Sequence, residues 1–249
     1  AIDNSSHSSL AAGRGIELAQ RMGASLVGCH VYAARLHDQR FRQMEGGLPE
    51  KYQEPGEIQR QRTTHDSLIT QGLRLISESY LEAVRTEAEG AGVPFSCRTM
   101  EGKNYLEIIR EARVEGCDLV MLGALGLGVV PSSLVGSVCE RVVRGSSGDV
   151  WVARGSDPLQ AGIVAAVDGS PWAMSGIRVA VSLARAFDAP LAAVAAYDPY
   201  FHQAAFKGIA GVLSEEAGRL FHFQDQERLH GEIIDKGMER VYQSYLQAA

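Results

Sequence analysis

Apolar positions in the first 154 residues follow two alternating rhythms, one of helical and one of strand period. Residues 8–22 carry Leu10, Ile16 and Leu18 at helical spacing, and Gly23 is a natural stop. Residues 24–32 form an apolar run of strand length. Between 66 and 89 the positions Leu68, Ile69, Leu73, Ile76, Tyr80 and Val84 spell a long amphipathic helix. A strand is predicted at 93–99, a helix at 105–115, an apolar strand at 118–122, a helix at 133–144 and a closing strand at 149–153. The stretch 33–62 breaks the rhythm: it is polar and holds Gly46-Gly47, Pro49 and Pro55-Gly56, so it is predicted as an insertion with little regular structure. Continuous apolar strands separated by helices imply an α/β fold, with a doubly wound parallel sheet covered on both faces.

The rhythm starts again after residue 154. Shifted by 165 positions, residues 1–84 align with 166–249 without a gap, and 22 of the 84 pairs are identical. The identities include Asp3/Asp168, Ser5/Ser170, Leu26/Leu191, Tyr32/Tyr197, His37/His202, Phe41/Phe206 and His65/His230. So the chain is a tandem repeat, read as a first domain at 1–154, a linker at 155–160 and a second, related domain at 161–249. The second copy lacks counterparts of 85–154, and the first has little of its opening strand. A half-domain of this kind would expose a sheet edge and an apolar face. The expectation is a fragment of a longer chain, or a sheet completed by another chain.

Composition narrows the function classes. Of the 249 residues, 45% are hydrophobic and 22% charged, with a formal net charge of −6. That balance suits a globular protein and argues against broad phosphate-driven nucleic-acid binding. No run approaches the ~18 apolar residues of a membrane span, and the N-terminal residues lack the pattern of a secretion signal. The four cysteines stand far apart with no Cys-x-x-Cys pair, which predicts reduced thiols and a cytoplasmic location.

Ligands of open parallel sheets bind beyond the carboxyl ends of the strands. Asp3 ends the first strand there, and after Val120-Met121-Leu122 comes Gly123-Ala-Leu-Gly126, nine residues, then Gly136-Ser137. Glycines let backbone pass close to a ligand, and the amides of the loop and of the following helix start make an anion site. An acidic side chain at Asp3 suits a ribose hydroxyl. The same glycines also fit a close-packed connection with no ligand.

Gly-x-x-Gly, nine residues, Gly-Ser resembles the ATP-binding signature of the universal stress proteins. Asp3-Asn-Ser-Ser and Asp168-Gly-Ser-Pro are similar to that family's first strand-to-helix turn, and Gly136-Ser-Val-Cys-Glu-Arg-Val to its last helix. The resemblance covers the first copy outside 33–62 and the first half of the second. It implies a five-stranded Rossmann-like sheet of the adenine-nucleotide alpha-hydrolase-like type. It also implies an adenine nucleotide (ATP, or ADP or AMP), with Mg or Mn as a companion cation. Adenine would lie on the backbone of Ala1, Ile2 and Val31, and Asp3 would take the ribose. Phosphates would lie along Leu122, Gly123, Gly126, Gly136 and Ser137, helped by Val138 and Cys139. Cys139 stands where the family often has a hydroxyl residue, and no residue of 127–135 is charged. The family commonly dimerises through its last strand, so a homodimer, or pairing of the two copies, is expected.

Two features fall outside that reading. The repeated histidines offer imidazoles to a metal or a haem, or are relics of duplication in polar loops or helix starts. Phe41/Phe206, beside Arg42/Lys207, cover the mouth of a site, dock a partner or simply pack. Catalytic signatures are missing: there is no Gly-x-Ser-x-Gly elbow, Gly-Lys-Ser/Thr loop or His-Glu-x-x-His pair. The expected function is a nucleotide-binding stress-response regulator with at most slow, incidental ATP hydrolysis. The rival is an interaction module that keeps the fold and binds no nucleotide.

Overall fold

The computed structural model describes residues 1–128, 133–155, 158–198 and 235–249, together with Ala204, Gly208, Ser214, Asp225 and Leu229. It divides into two compact units, Ala1–Ser156 and Asp157–Ala249.

In the first unit the order is α1 (Ser6–Met22), β1 (Leu26–Tyr32), α2 (Ala34–Met44), α3 (Pro55–Gly90), β2 (Phe95–Glu101), α4 (Asn104–Val114), β3 (Leu119–Gly123), α5 (Ser137–Gly145) and β4 (Asp149–Ala153). Helix α1 starts where the Ser5 hydroxyl accepts from the Ser8 amide. It ends at Gly23, whose φ of 65° closes a left-handed cap. β1 and β2 pair in parallel from Leu26↔Phe95 to Tyr32↔Glu101, and β3 and β4 from Leu119↔Asp149 to Gly123↔Ala153.

Ala1 and Ile2 join these two pairs. The Ile2 amide donates to the Cys29 carbonyl of β1, and the terminal amine of Ala1 donates to the Met121 carbonyl of β3, both at 2.8 Å. The sheet order is therefore β2, β1, the Ala1–Ile2 segment, β3 and β4. This is the five-position doubly wound arrangement, with a middle position only two residues long. One face is packed by α4 and α5 around Cys29, Val31, Ile108, Val120, Leu122, Cys139 and Val142. The other is packed by α1 and α3 through Ile16, Ala19, Val84 and Ala88.

The stretch 33–62 corrects the expectation of little regular structure. Most of it is helical: α2, short 3-10 turns at Glu45–Gly47 and Glu50–Tyr52, and the first residues of a 36-residue α3. Pro55 stands at the first positions of α3, where its fixed φ and missing N–H favour a start rather than a break. Polar contacts replace the missing apolar stripe. Arg62 of α3 donates through Nε and Nη2 to the two oxygens of Glu45, each at 2.6 Å, and Arg42 pairs with Asp38 at 2.9 Å.

The second unit repeats the start of the first: β5 (Ile163–Ala166), α6 (Pro171–Phe187), β6 (Leu191–Val194) and a last helix, α7 (Asp235–Ala248). β5 and β6 are parallel. Phe187 anchors α6 at 1% exposure, yet every residue of β6 is exposed and Val164 of β5 is 71% exposed. Among the described residues no helix is long and apolar enough to cross a membrane.

Candidate nucleotide site

The site is assembled on the carboxyl side of the sheet, from the turn after Ala1–Ile2 and the loop after β3. Oδ1 of Asp3 accepts from the amide (3.0 Å) and the hydroxyl (2.6 Å) of Ser5. The Asp3 amide in turn donates to Ser8 Oγ at 3.3 Å. Asn4 between them has a φ of 62°, a left-handed conformation that asparagine tolerates better than most residues. Burial disfavours the Asp3 carboxylate, but hydrogen bonds from the Ser5 and Ser8 side chains and from the backbone of Ser5 and Leu127 outweigh it. Together they hold the carboxyl below its ordinary value.

Leu127 belongs to the glycine loop, and the glycines explain how it comes so near. A β-carbon at Gly123 would lie 2.5 Å from the His7 carbonyl carbon and 2.7 Å from the Ser8 nitrogen, both backbone atoms of α1. At Gly126 it would lie 2.6 Å from Asp3 Oδ2. Gly123 has no room for a side chain against the α1 backbone, and at Gly126 the Asp3 carboxylate would have to move aside, so both approaches are made by backbone alone. The Gly136 amide donates to the Ala124 carbonyl (2.7 Å), and the Ala124 amide to the Ala153 carbonyl of β4 (2.9 Å), which closes the neck of the loop. Residues 129–132 of the loop lie outside the described residues.

Helix α5 leaves the neck with its N-terminus unprotected by any side chain, in contrast to α1 with its Ser5 cap. Its first turn closes with Glu140 donating to the Gly136 carbonyl at 3.0 Å. The amides of Ser137, Val138 and Cys139 precede that bond and have no intrahelical acceptor. They mark the positive end of the helix dipole, and Ser137 is exposed beside them.

The structure thus gathers Asp3, Gly123, Gly126, Gly136 and Ser137 around one loop. Val31, Leu122 and Cys139 are core residues at 8%, 4% and 3% exposure, so their backbones alone can serve a ligand. Burial pushes the Cys139 thiol up, keeping it a neutral packing group. Ile2 packs on the α1–α3 face, and its carbonyl lies 2.5 Å from His30 Nδ1. Arg154, absent from the expected site, donates from Nη1 to the Leu134 carbonyl in the loop at 2.7 Å. Its position directly after the closing strand is the only hint the sequence offers.

The histidine expectation resolves as a stack in the first copy. The ring of His65 lies 4.1 Å from Phe41 and 4.9 Å from His37, both nearly parallel to it. Among the described residues no group of three or more His, Cys, Asp or Glu is placed to hold a metal ion. His202, Phe206 and His230 lie outside the described residues.

In the second unit Asp168 accepts from the Ser170 amide at 2.9 Å, and the hydroxyl and amide of Ser170 hold its carboxyl below the ordinary value. Gly169, with a φ of 79°, is left-handed like Asn4 in the first copy. A β-carbon there would lie 2.4 Å from the ring of Tyr245 on α7.

Known proteins resemble this chain in sequence and in fold. A protein of Staphylococcus epidermidis named for the universal stress family is 36% identical over 92 residues, which are 36% of this chain and 55% of that protein. A universal stress protein of Mycobacterium tuberculosis is 27% identical over 111 residues, 43% of this chain and 34% of its own length. The chain therefore spans about half the length, or less, of these curated relatives. Among solved structures, a universal stress protein from Archaeoglobus fulgidus superposes with a TM-score of 0.53 at 16% identity. It covers 84% of this chain and 70% of its own, and shows the shared fold. The sequence model of the universal stress protein family matches residues 1–154, the whole of the first copy, and the chain belongs to that family.

Proposed function

We propose that the first copy binds an adenine nucleotide, ATP or its di- and monophosphates, and works as a binding regulator rather than an enzyme. The observation that carries the reading is the fit of the glycine loop. Gly126 lies where any β-carbon would strike the Asp3 carboxylate, while the α5 amides stand without a side-chain cap. An acceptor for ribose hydroxyls and a donor set for phosphates are thereby held on one rigid connection. The backbones of Ala1, Ile2 and Val31 would receive the base, and those of Leu122, Val138 and Cys139 would line the rest. Mg or Mn would arrive with the phosphates, since no protein cluster of three or more ligands stands ready among the described residues. Ligand binding would bias a surface of this protein, the 33–62 insertion, toward partner binding, with the preferential affinity for one state supplying the energy.

Titration calorimetry with ATP, ADP, AMP and cAMP, on the protein and on its Gly126→Asp variant, tests this. Binding by the parent and loss in the variant is expected. Equal, weak heats from both would overturn it. A second reading, an interaction module without nucleotide, draws support from the exposed Leu127, Leu134 and Val135 on the loop. A mass spectrum of small molecules released from native protein separates the two. β4, the outer member of its strand pair, is the edge proposed for pairing with a second copy.

A further inference from the structure

The loop from 127 to 135 carries no charge. A polyphosphate at this site would meet backbone amides and serine hydroxyls, which satisfy hydrogen bonds without neutralising several negative charges. The structure supplies a cation from elsewhere. Arg154 is the first residue after β4, and three hydrogen bonds bring the end of that strand to the loop's neck. The Ala124 amide bonds the Ala153 carbonyl, the Gly136 amide bonds the Ala124 carbonyl, and the Arg154 guanidinium bonds the Leu134 carbonyl. Leu134 stands three residues before Ser137, so the guanidinium is held beside the approach to the α5 amides. That bond uses one of its five N–H groups, and Arg154 is exposed, which leaves the others for solvent or an anion. The arginines further along α5 are directed elsewhere. Arg141 lies over the Tyr105 ring at 4.9 Å, and Arg144 pairs with Glu140 at 3.2 Å.

We propose that Arg154 is the phosphate-counting residue of this site: it sets the preference for tri- and diphosphate over monophosphate. The proposal rests on the nucleotide reading above. A guanidinium anchored to a carbonyl is pre-oriented, so a charge-assisted bond to an outer phosphate costs little further ordering. The bland alternative is a latch that only fixes the loop's shape. A latch would weaken every nucleotide by the same factor.

The test compares ATP, ADP, AMP and adenosine on the parent protein, Arg154→Gln and Arg154→Lys, at low and high salt. Arg154→Gln should weaken ATP about tenfold and ADP less, leaving AMP and adenosine close to their parent values. Arg154→Lys should recover much of the ATP affinity, and the salt dependence of ATP binding should be shallower in Arg154→Gln. Equal loss across the four ligands, or no loss at all, would overturn the assignment while leaving the nucleotide site standing. Failure of the parent protein to bind any of the four would overturn both.

Discussion

The same strand-to-helix turn occurs twice in this chain, and among the described residues the first is the more enclosed. Asp3 and Asp168 both accept from the amide of a serine two residues on, and both serines cap the helix that follows. Both turns pass through a left-handed residue, Asn4 in one and Gly169 in the other. Beyond that they part. Asp3 is half-buried, with Gly126 against its second oxygen and the Leu127 backbone bonded to it. Asp168 is exposed, and an aromatic ring, Tyr245, lies on the neighbouring glycine. Sequence identity of a turn therefore specifies its backbone and cap. Its chemistry comes from what is packed over it.

The sharpest way to break this contrast is at Gly123. Gly123→Ala drives a methyl into α1 backbone on the far side, so a loss of about 1–3 kcal/mol and a drop of several degrees in Tm are expected by scanning calorimetry. Gly128→Ala, with open space around the added carbon, should leave Tm unchanged and serves as the control. Next in size, Asp3→Asn should cost about tenfold in nucleotide affinity, or about 1.4 kcal/mol, while Asp168→Asn costs nothing measurable in the same titration. A comparable loss in both would mean that the second turn also serves the ligand.

Acid should reveal the same difference more gently. The folded-state carboxyl of Asp3 is depressed, so its contribution to stability is complete above the usual aspartate range and fades as pH falls through the folded value. Denaturant melts between neutral and strongly acid pH should therefore show Asp3→Asn losing part of the acid-side dependence. Asp168→Asn should lose less, since solvent screens an exposed carboxylate. The smallest effect is expected at Arg62→Ala. Glu45 loses its two-pronged partner there, so amide exchange should speed up in α2 and at the start of α3 while nucleotide affinity stays unchanged.

Much of this was legible in the residues. β4 falls on the predicted positions, and the other strands of the first unit differ from them by at most two residues at either end. Their apolar runs are decided locally, by burial on both faces. The glycines of the loop were legible too, because close backbone approach leaves few alternatives to glycine. The helices in 33–62 were not. Arg62 reaching Glu45 and His65 stacking with Phe41 and His37 hold them, contacts between separate segments that no periodicity encodes. Arg154 was hidden for the same reason: its partner lies 20 residues earlier and meets it only because parallel strands end side by side. Cys139 stands at a position where the family often has a hydroxyl residue, and helical phase turns its side chain into the core.

Helix α3 joins the stack at His65 to the core at Leu81, which is 1% exposed, without interruption. A rigid rod with 3.6 residues per turn fixes the angle between its two ends as well as their distance. Loss of two residues between them would swing the His65 face by roughly 200°, away from α2, whereas loss of seven would return it to within about 20°. Length change along this helix is thus quantised, and the sixteen-position spacing from His65 to Leu81 recurs in the sequence from His230 to Leu246.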